Sequence, residues 1–213
     1  MTATTRPAPA LKPLRGVRVL SLALNLPGPA ALMRLKAMGA NCLKAEPPGP
    51  KGAPAGTSGD PMGQYNPTAY TTMHGGIKVL TVDLKTDKGQ QQLHKELART
   101  DVLLTSFRPS ALLKLGLGWK ALHKAYPPLS VVAIVGAPGA RAEEPGHDLT
   151  YLAAAGLVPG LDLPATLFAD MGGAVMASEA ALKAVMVQKS TGNVLGSDPN
   201  PPPNGGALAS WED

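Results

Sequence analysis

Five short apolar runs, each separated from the next by a stretch that breaks their pattern, constrain this chain more than any other feature. They are Arg18 to Leu22 (RVLSL), Asn41 to Ala45 (NCLKA), Lys78 to Leu84 (KVLTVDL), Asp101 to Thr105 (DVLLT) and Ser130 to Val135 (SVVAIV). Apolar runs this short fit buried strands better than helices, which take about ten residues or more. Helical stretches fill the gaps: from Gly28-Pro29 through Met38, stopped by Gly39, and from Thr86 to Arg99 with Leu93 and Leu97 four apart. Two shorter ones cover Ala111 to Lys114 and Trp119 to Lys124. Strands alternating with helices predict an α/β fold, a Rossmann-like and mainly parallel sheet with helices on both faces.

The remaining segments divide by composition. Residues 1–15 are rich in Pro, Ala and Thr and are expected to be a disordered lead-in. Residues 16–193 form the folded domain, and 194–213, which include GSDPNPPPNGG, are expected to be a disordered tail. Residues 47–76 carry many Pro and Gly without a period and predict a long surface loop, a kind of segment that is often functional. After the fifth strand come a polar passage, APGARAEEPG, a short helix in HDLTYLAAAG and a connection over 157–169. A longer helix is then expected from Asp170 to near Gly192, with Val175, Met176, Ala180 and Val185 on its buried side.

Composition removes several classes of function. At 213 residues and 44% hydrophobic the chain can bury one sizeable core. No run approaches the roughly 20 apolar residues of a membrane span, and the first residues lack the apolar centre of a signal peptide, so a cytoplasmic protein without a membrane partner is expected. A single cysteine, Cys42, reads as a small buried hydrophobe, neither disulfide nor thiolate cluster. The net charge of +5 suits an anionic partner, but 4% aromatics and scattered basic residues argue against nucleic acid. SLALNLPGPAA stands where a GxGxxG fingerprint would follow the first strand, so no dinucleotide is supported. His94 and His123, flanked by Lys95 and Lys124, read as solvated helix residues, and His74 has no neighbour at metal-ligand spacing.

Two residues stand apart. His147 follows Pro145-Gly146 and heads a helix, with Asp148 beside it; Asp170 precedes Gly172-Gly173 at the start of the long helix. A carboxylate in such a place caps orphan amides, and Asp148 equally suits the helix dipole. An acid/base role for His147 and Asp170 is the alternative.

The order of motifs resembles the family III CoA-transferase superfamily, and within it the α-methylacyl-CoA racemases. The matching passages are LRGVRVLSLA with PGPAALMRLKAMGAN, then TVDLKTDKG, DVLLTSFRPSALLKLGLG, PGHDLTYLAAAGL and LFADMGG with QKSTGN. The resemblance implies an enzyme acting on acyl-CoA, with coenzyme A arriving as part of the substrate and no permanently bound cofactor. It implies that His147 and Asp170 are two catalytic bases that invert the carbon α to the thioester. The sibling transferases instead use the aspartate as a nucleophile, and a degenerate CoA-binding protein is a third possibility. CoA contacts carry over to Val82, Asp83, Leu84 and Lys85, and to Gly146, His147, Asp148, Leu149, Thr150 and Tyr151. Arg108 falls near the acyl-CoA, and Lys44 near the adenosine phosphates, with a solvated strand-end lysine as its alternative. Family members run longer and carry a second, small domain, so this chain is expected to be either a truncated, inactive remnant or a shortened form that finds the missing half in another chain, with a homodimer as the expected assembly.

Overall fold

The computed structural model describes residues 11–54 and 56–193, together with the backbone of 208–210. Strands β1 (Arg18–Ser21), β2 (Asn41–Glu46), β3 (Lys78–Thr81), β4 (Val102–Thr105) and β5 (Ser130–Val135) lie on the five apolar runs. All pair in parallel, in the order β3-β2-β1-β4-β5. Every residue of β4 is buried, as a central strand covered on both faces requires. The helices are α1 (Pro27–Ala37), α2 (Met62–Tyr65), α3 (Pro67–Met73), α4 (Asp87–Leu97), α5 (Pro109–Lys114), α6 (Trp119–Ala125), α7 (Asp148–Ala154) and α8 (Phe168–Thr191). A 3-10 turn spans Gly139–Glu143.

Because neighbouring strand residues point to opposite faces, the sheet feeds two cores. Val19, Val102, Leu104 and Val132 pack under α1 and α8, while Leu20, Leu103 and Val131 pack with Leu93 and Leu97 of α4, Leu112 of α5 and Leu122 of α6. Helix α8 lays a face of Ala174, Ala177, Ala181 and Ala184 inward, and small residues let α1 come close. Arg34 Nε donates to Ser178 Oγ at 2.9 Å across that contact. The start of α1 sits directly on Ala23, where a Cβ at Gly28 would come within 2.2 Å of the Ala23 side chain.

Four boundaries differ from expectation. Residues 47–76 are not one irregular loop, since α2 and α3 lie within them. Asn66 caps α3 by accepting from the Ala69 amide at 3.1 Å, and Pro67 follows at the first helical position, a start signal hidden among the prolines. Leu14, assigned to the lead-in, is 1% exposed and its amide donates to Met38 O at 3.0 Å, so the packed structure begins ahead of residue 16. Residues 1–10 lie outside the described residues. Within the expected tail, β6 (Leu208–Ser210) adds in parallel beside β5; an edge strand's open backbone groups accept an extended segment whatever its side chains. The rest of 194–213 lies outside the described residues. Finally, α8 begins at Phe168, which moves Asp170 from the cap into the first turn.

Candidate active site

The chain leaves β1 towards one side of the sheet and β4 towards the other, so the loops after these two strands diverge. Such a switch point opens a crevice at the carboxyl ends of the strands. A cavity of about 200 Å³ lies there. Leu24 and Asn25 line it from the loop after β1, Ser106 from the loop after β4, and Val135 and Gly136 from the end of β5. The opposite wall is made of Gly146, His147 and Tyr151 at α7 and of Asp170 and Gly173 in α8.

His147 is the N-cap residue of α7, solvent-exposed and extended in backbone, and its amide donates to Thr150 Oγ1 at 3.4 Å. Asp170 is half-buried in the first turn of α8. The capping role falls to Asp148: its Oδ1 accepts from the Asp170 amide at 3.0 Å, serving an amide that α8 leaves open at its start. Asp148 is therefore turned inward, 7% exposed, and ties α7 to α8 at the point where each presents a reactive group. Burial pushes the Asp170 carboxyl above the usual carboxylate range, the neighbouring Asp148 charge pushes it further, and His147 works against both. A carboxyl so placed holds a proton more readily than a surface aspartate.

Tyr151 completes this wall. A Cβ at Gly136 would come within 2.3 Å of the Tyr151 hydroxyl, and one at Gly146 within 2.4 Å, so the ring occupies space that only two glycines leave open. Burial and the Asp170 charge raise its phenol, and Arg108 lowers it. Arg108 itself is exposed at the start of α5.

The facing wall is held from beneath. Asn25 has φ 62°, the one described non-glycine residue in the left-handed region, which asparagine tolerates better than most. Its amide donates to Asp60 Oδ1 at 3.0 Å, and the Leu24 amide donates to Ser106 Oγ at 3.2 Å. Asp60 Oδ1 also accepts from the Met62 amide at 3.0 Å, while Oδ2 accepts from Lys44 Nζ. Lys44 is fully buried, 3.5 Å from Glu46 Oε2. Glu46 accepts in turn from Ser58 Oγ at 2.9 Å and Tyr70 Oη at 3.0 Å.

This corrects one expectation. Lys44 is not a solvated lysine at a strand end but a buried one, because a buried ammonium must sit against a counter-charge and Asp60 and Glu46 supply it. Asp148, in the first turn of α7 as expected, has its carboxylate engaged within the fold. Leu149 and Thr150 are exposed and line neither this cavity nor its neighbour beside β3. That neighbour, about 140 Å³, gathers Val82, Asp83, Leu84 and Lys85 with Leu22, Pro47 and Phe107. The strand expected to run to Leu84 ends at Thr81, and the following residues turn, with Asp83 Oδ1 accepting from the Lys85 amide at 3.0 Å. The structure thus unites Gly146, His147, Tyr151 and Asp170, and gathers the Val82–Lys85 turn in a second place along the same edge.

Two histidines and the cysteine also have definite places. His94 is part-buried, its Nδ1 2.6 Å from Tyr126 Oη, so it is not a solvated residue; His123 is exposed and stacks on Trp119. Cys42 is half-buried, and burial pushes its thiol up to about 12. Asn25, Ser106 and Asp60 were not singled out from the sequence. The switch-point rule could have found the first two, since they follow β1 and β4; no local signal marks Asp60.

Among the described residues no helix is long and apolar enough to cross a membrane. The family model for CoA-transferase family III matches residues 14–196. A probable fatty acyl-CoA transferase of Mycobacterium tuberculosis is 37% identical over 163 residues, which cover 76% of this chain and 41% of that protein. The α-methylacyl-CoA racemase of Mus musculus is 32% identical over 169 residues, 75% of this chain and 40% of the relative. A solved structure of a Mycobacterium tuberculosis protein superposes with a TM-score of 0.76 at 31% identity, covering 86% of this chain and 52% of the other. The chain spans about two fifths of the length of these curated relatives. On the match that runs through every strand from β1 to β5 and both walls of the cavity, this chain belongs to CoA-transferase family III.

Proposed function

We propose that this cavity acts on an acyl-CoA thioester and that His147 and Asp170 exchange the proton on its α-carbon, as in an acyl-CoA racemase. The observation that carries the reading is one cavity lined by an imidazole from the start of α7 and a half-buried carboxyl from the start of α8, the two helices joined through Asp148. Inversion needs one group to take the α-proton from one face, leaving an enolate, and another to return a proton to the opposite face. Each such group typically contributes about 10² to 10⁴ in rate. Incubation of a 2-methylacyl-CoA in deuterium oxide tests it: label should enter the α-carbon, and His147→Ala should slow this by about 10² or more. Undiminished exchange in that variant sinks the assignment.

A second reading is CoA transfer, supported by the 37% identical relative, a probable fatty acyl-CoA transferase. Here Asp170 is the nucleophile and His147 is dispensable. Movement of CoA between two carboxylic acids, with an acyl group on Asp170 trapped by hydroxylamine, separates it from racemisation. The reading includes a second copy of the chain as partner. It is supported by Phe168, Met171, Val175 and Met186, which lie along one side of α8 and are 40–61% exposed; sedimentation velocity of the purified chain checks it, a monomer at micromolar concentration refuting it.

A further inference from the structure

The catalytic cavity has a larger neighbour across the end of β5. About 400 Å³ opens between β5, α5, α6 and the Gly139–Glu143 turn. Phe107, Leu112, Trp119, Ala133 and Ala142 make apolar walls, and Lys120, the one charged side chain among the described lining residues, is solvent-exposed. Leu113 also lines the cavity, 69% exposed, and leans over Gly118, where a Cβ would come within 2.6 Å of its Cδ2. Val135 belongs to both cavities, so a group that leaves the side of His147 and Asp170 past Val135 meets these apolar walls. Trp119 already stacks one ring on His123, with centroids 4.9 Å apart, which argues against its serving as a platform for a base.

We propose, on the basis of the acyl-CoA reading above, that this second cavity receives the acyl chain, and that the chain is an aliphatic hydrocarbon rather than a dicarboxylate. The physical reason is selective in both directions. A methylene gains by leaving water, about fourfold in affinity for each one fully buried. A terminal carboxylate would lose its hydration among Phe107, Leu112 and Ala142 with no buried charged side chain among the described lining residues to replace it.

Trp119 supplies the readout, in the full chain carrying Trp211→Phe so that one indole remains. Its fluorescence is titrated with decanoate, glutarate, CoA, acetyl-CoA and decanoyl-CoA. The expected result is saturable change with decanoate and none with glutarate, and decanoyl-CoA binding at least about tenfold tighter than acetyl-CoA, the yield of two buried methylenes. Leu113→Asp, at an exposed position that the core does not need, should flatten this chain-length difference. The proposal is overturned if decanoyl-CoA binds no tighter than acetyl-CoA, if CoA alone moves Trp119 as far as decanoyl-CoA does, or if Leu113→Asp leaves the difference intact. Decanoate binding that Leu113→Asp removes, with no thioester bound at all, supports the cavity as a hydrocarbon site and refutes the acyl-CoA reading instead.

Discussion

Removing the ammonium of Lys44 should damage this fold more than removing the charge of Asp60, although the two are partners. Lys44 stands between two carboxylates, bonded to Asp60 and 3.5 Å from Glu46, and all three side chains are at least 96% buried. Lys44→Met keeps the length of the side chain and leaves Asp60 and Glu46 facing each other without a cation. Breaking a buried pair in this way costs about 3 to 5 kcal/mol, a large part of the roughly 5 to 15 kcal/mol that holds a domain together. Asp60→Asn retains Oδ1 for the Asn25 and Met62 amides and leaves Lys44 with Glu46, so only a charge-assisted bond is lost, about 2 kcal/mol. The assay is urea unfolding at neutral pH, read as the shift in midpoint at unchanged slope. The double variant should recover part of the Lys44→Met loss, with a coupling of about 1 kcal/mol or more. Equal costs for the two single variants, or costs within about 0.5 kcal/mol of wild type, refute the buried three-charge arrangement. A lysine reading phosphate from solvent would behave otherwise: Lys44→Met would then lower CoA affinity and leave the midpoint in place.

Two further outcomes follow from the cavity. The folded state raises the Asp170 carboxyl above its unfolded value, so the folded chain binds more protons there and the contribution of Asp170 to stability falls as pH rises from the ordinary carboxylate range through its raised folded value; Asp170→Asn should gain on wild type in thermal melts as pH is raised across that range, and a gap that moves the other way overturns the direction. Gly146→Ala would set a Cβ within 2.4 Å of the Tyr151 hydroxyl, so the ring must leave its place; acyl-CoA affinity and exchange should both fall, and an unaltered affinity would show that Tyr151 is not part of the site.

The strands were legible because each is a local event. A parallel strand buried on both faces reads as a near-continuous apolar run, and VLLT and SVVAIV are short and rich in β-branched residues, which favours strand over helix. Helices α1, α4, α5 and α6 followed from the same logic, whereas α2 and α3, set among prolines and glycines between β2 and β3, did not; the motif order led to His147 and Asp170 while their neighbours were unknown. What defeated sequence reasoning was every feature that depends on a distant partner. Lys44 looks like a charged residue at a strand end until Asp60, 16 residues on, is folded against it. Asp170 looks like a helix cap until α8 is found to begin at Phe168 and Asp148 to do the capping from another helix. The amino-acid sequence by itself determined the layered α/β architecture, and its motif order singled out His147 and Asp170. Only the tertiary structure decided that they share a cavity, because its facing wall is set by hydrogen bonds reaching from Asn25 to Asp60 and from Leu24 to Ser106, 35 and 82 residues apart. No periodicity encodes contacts of that kind.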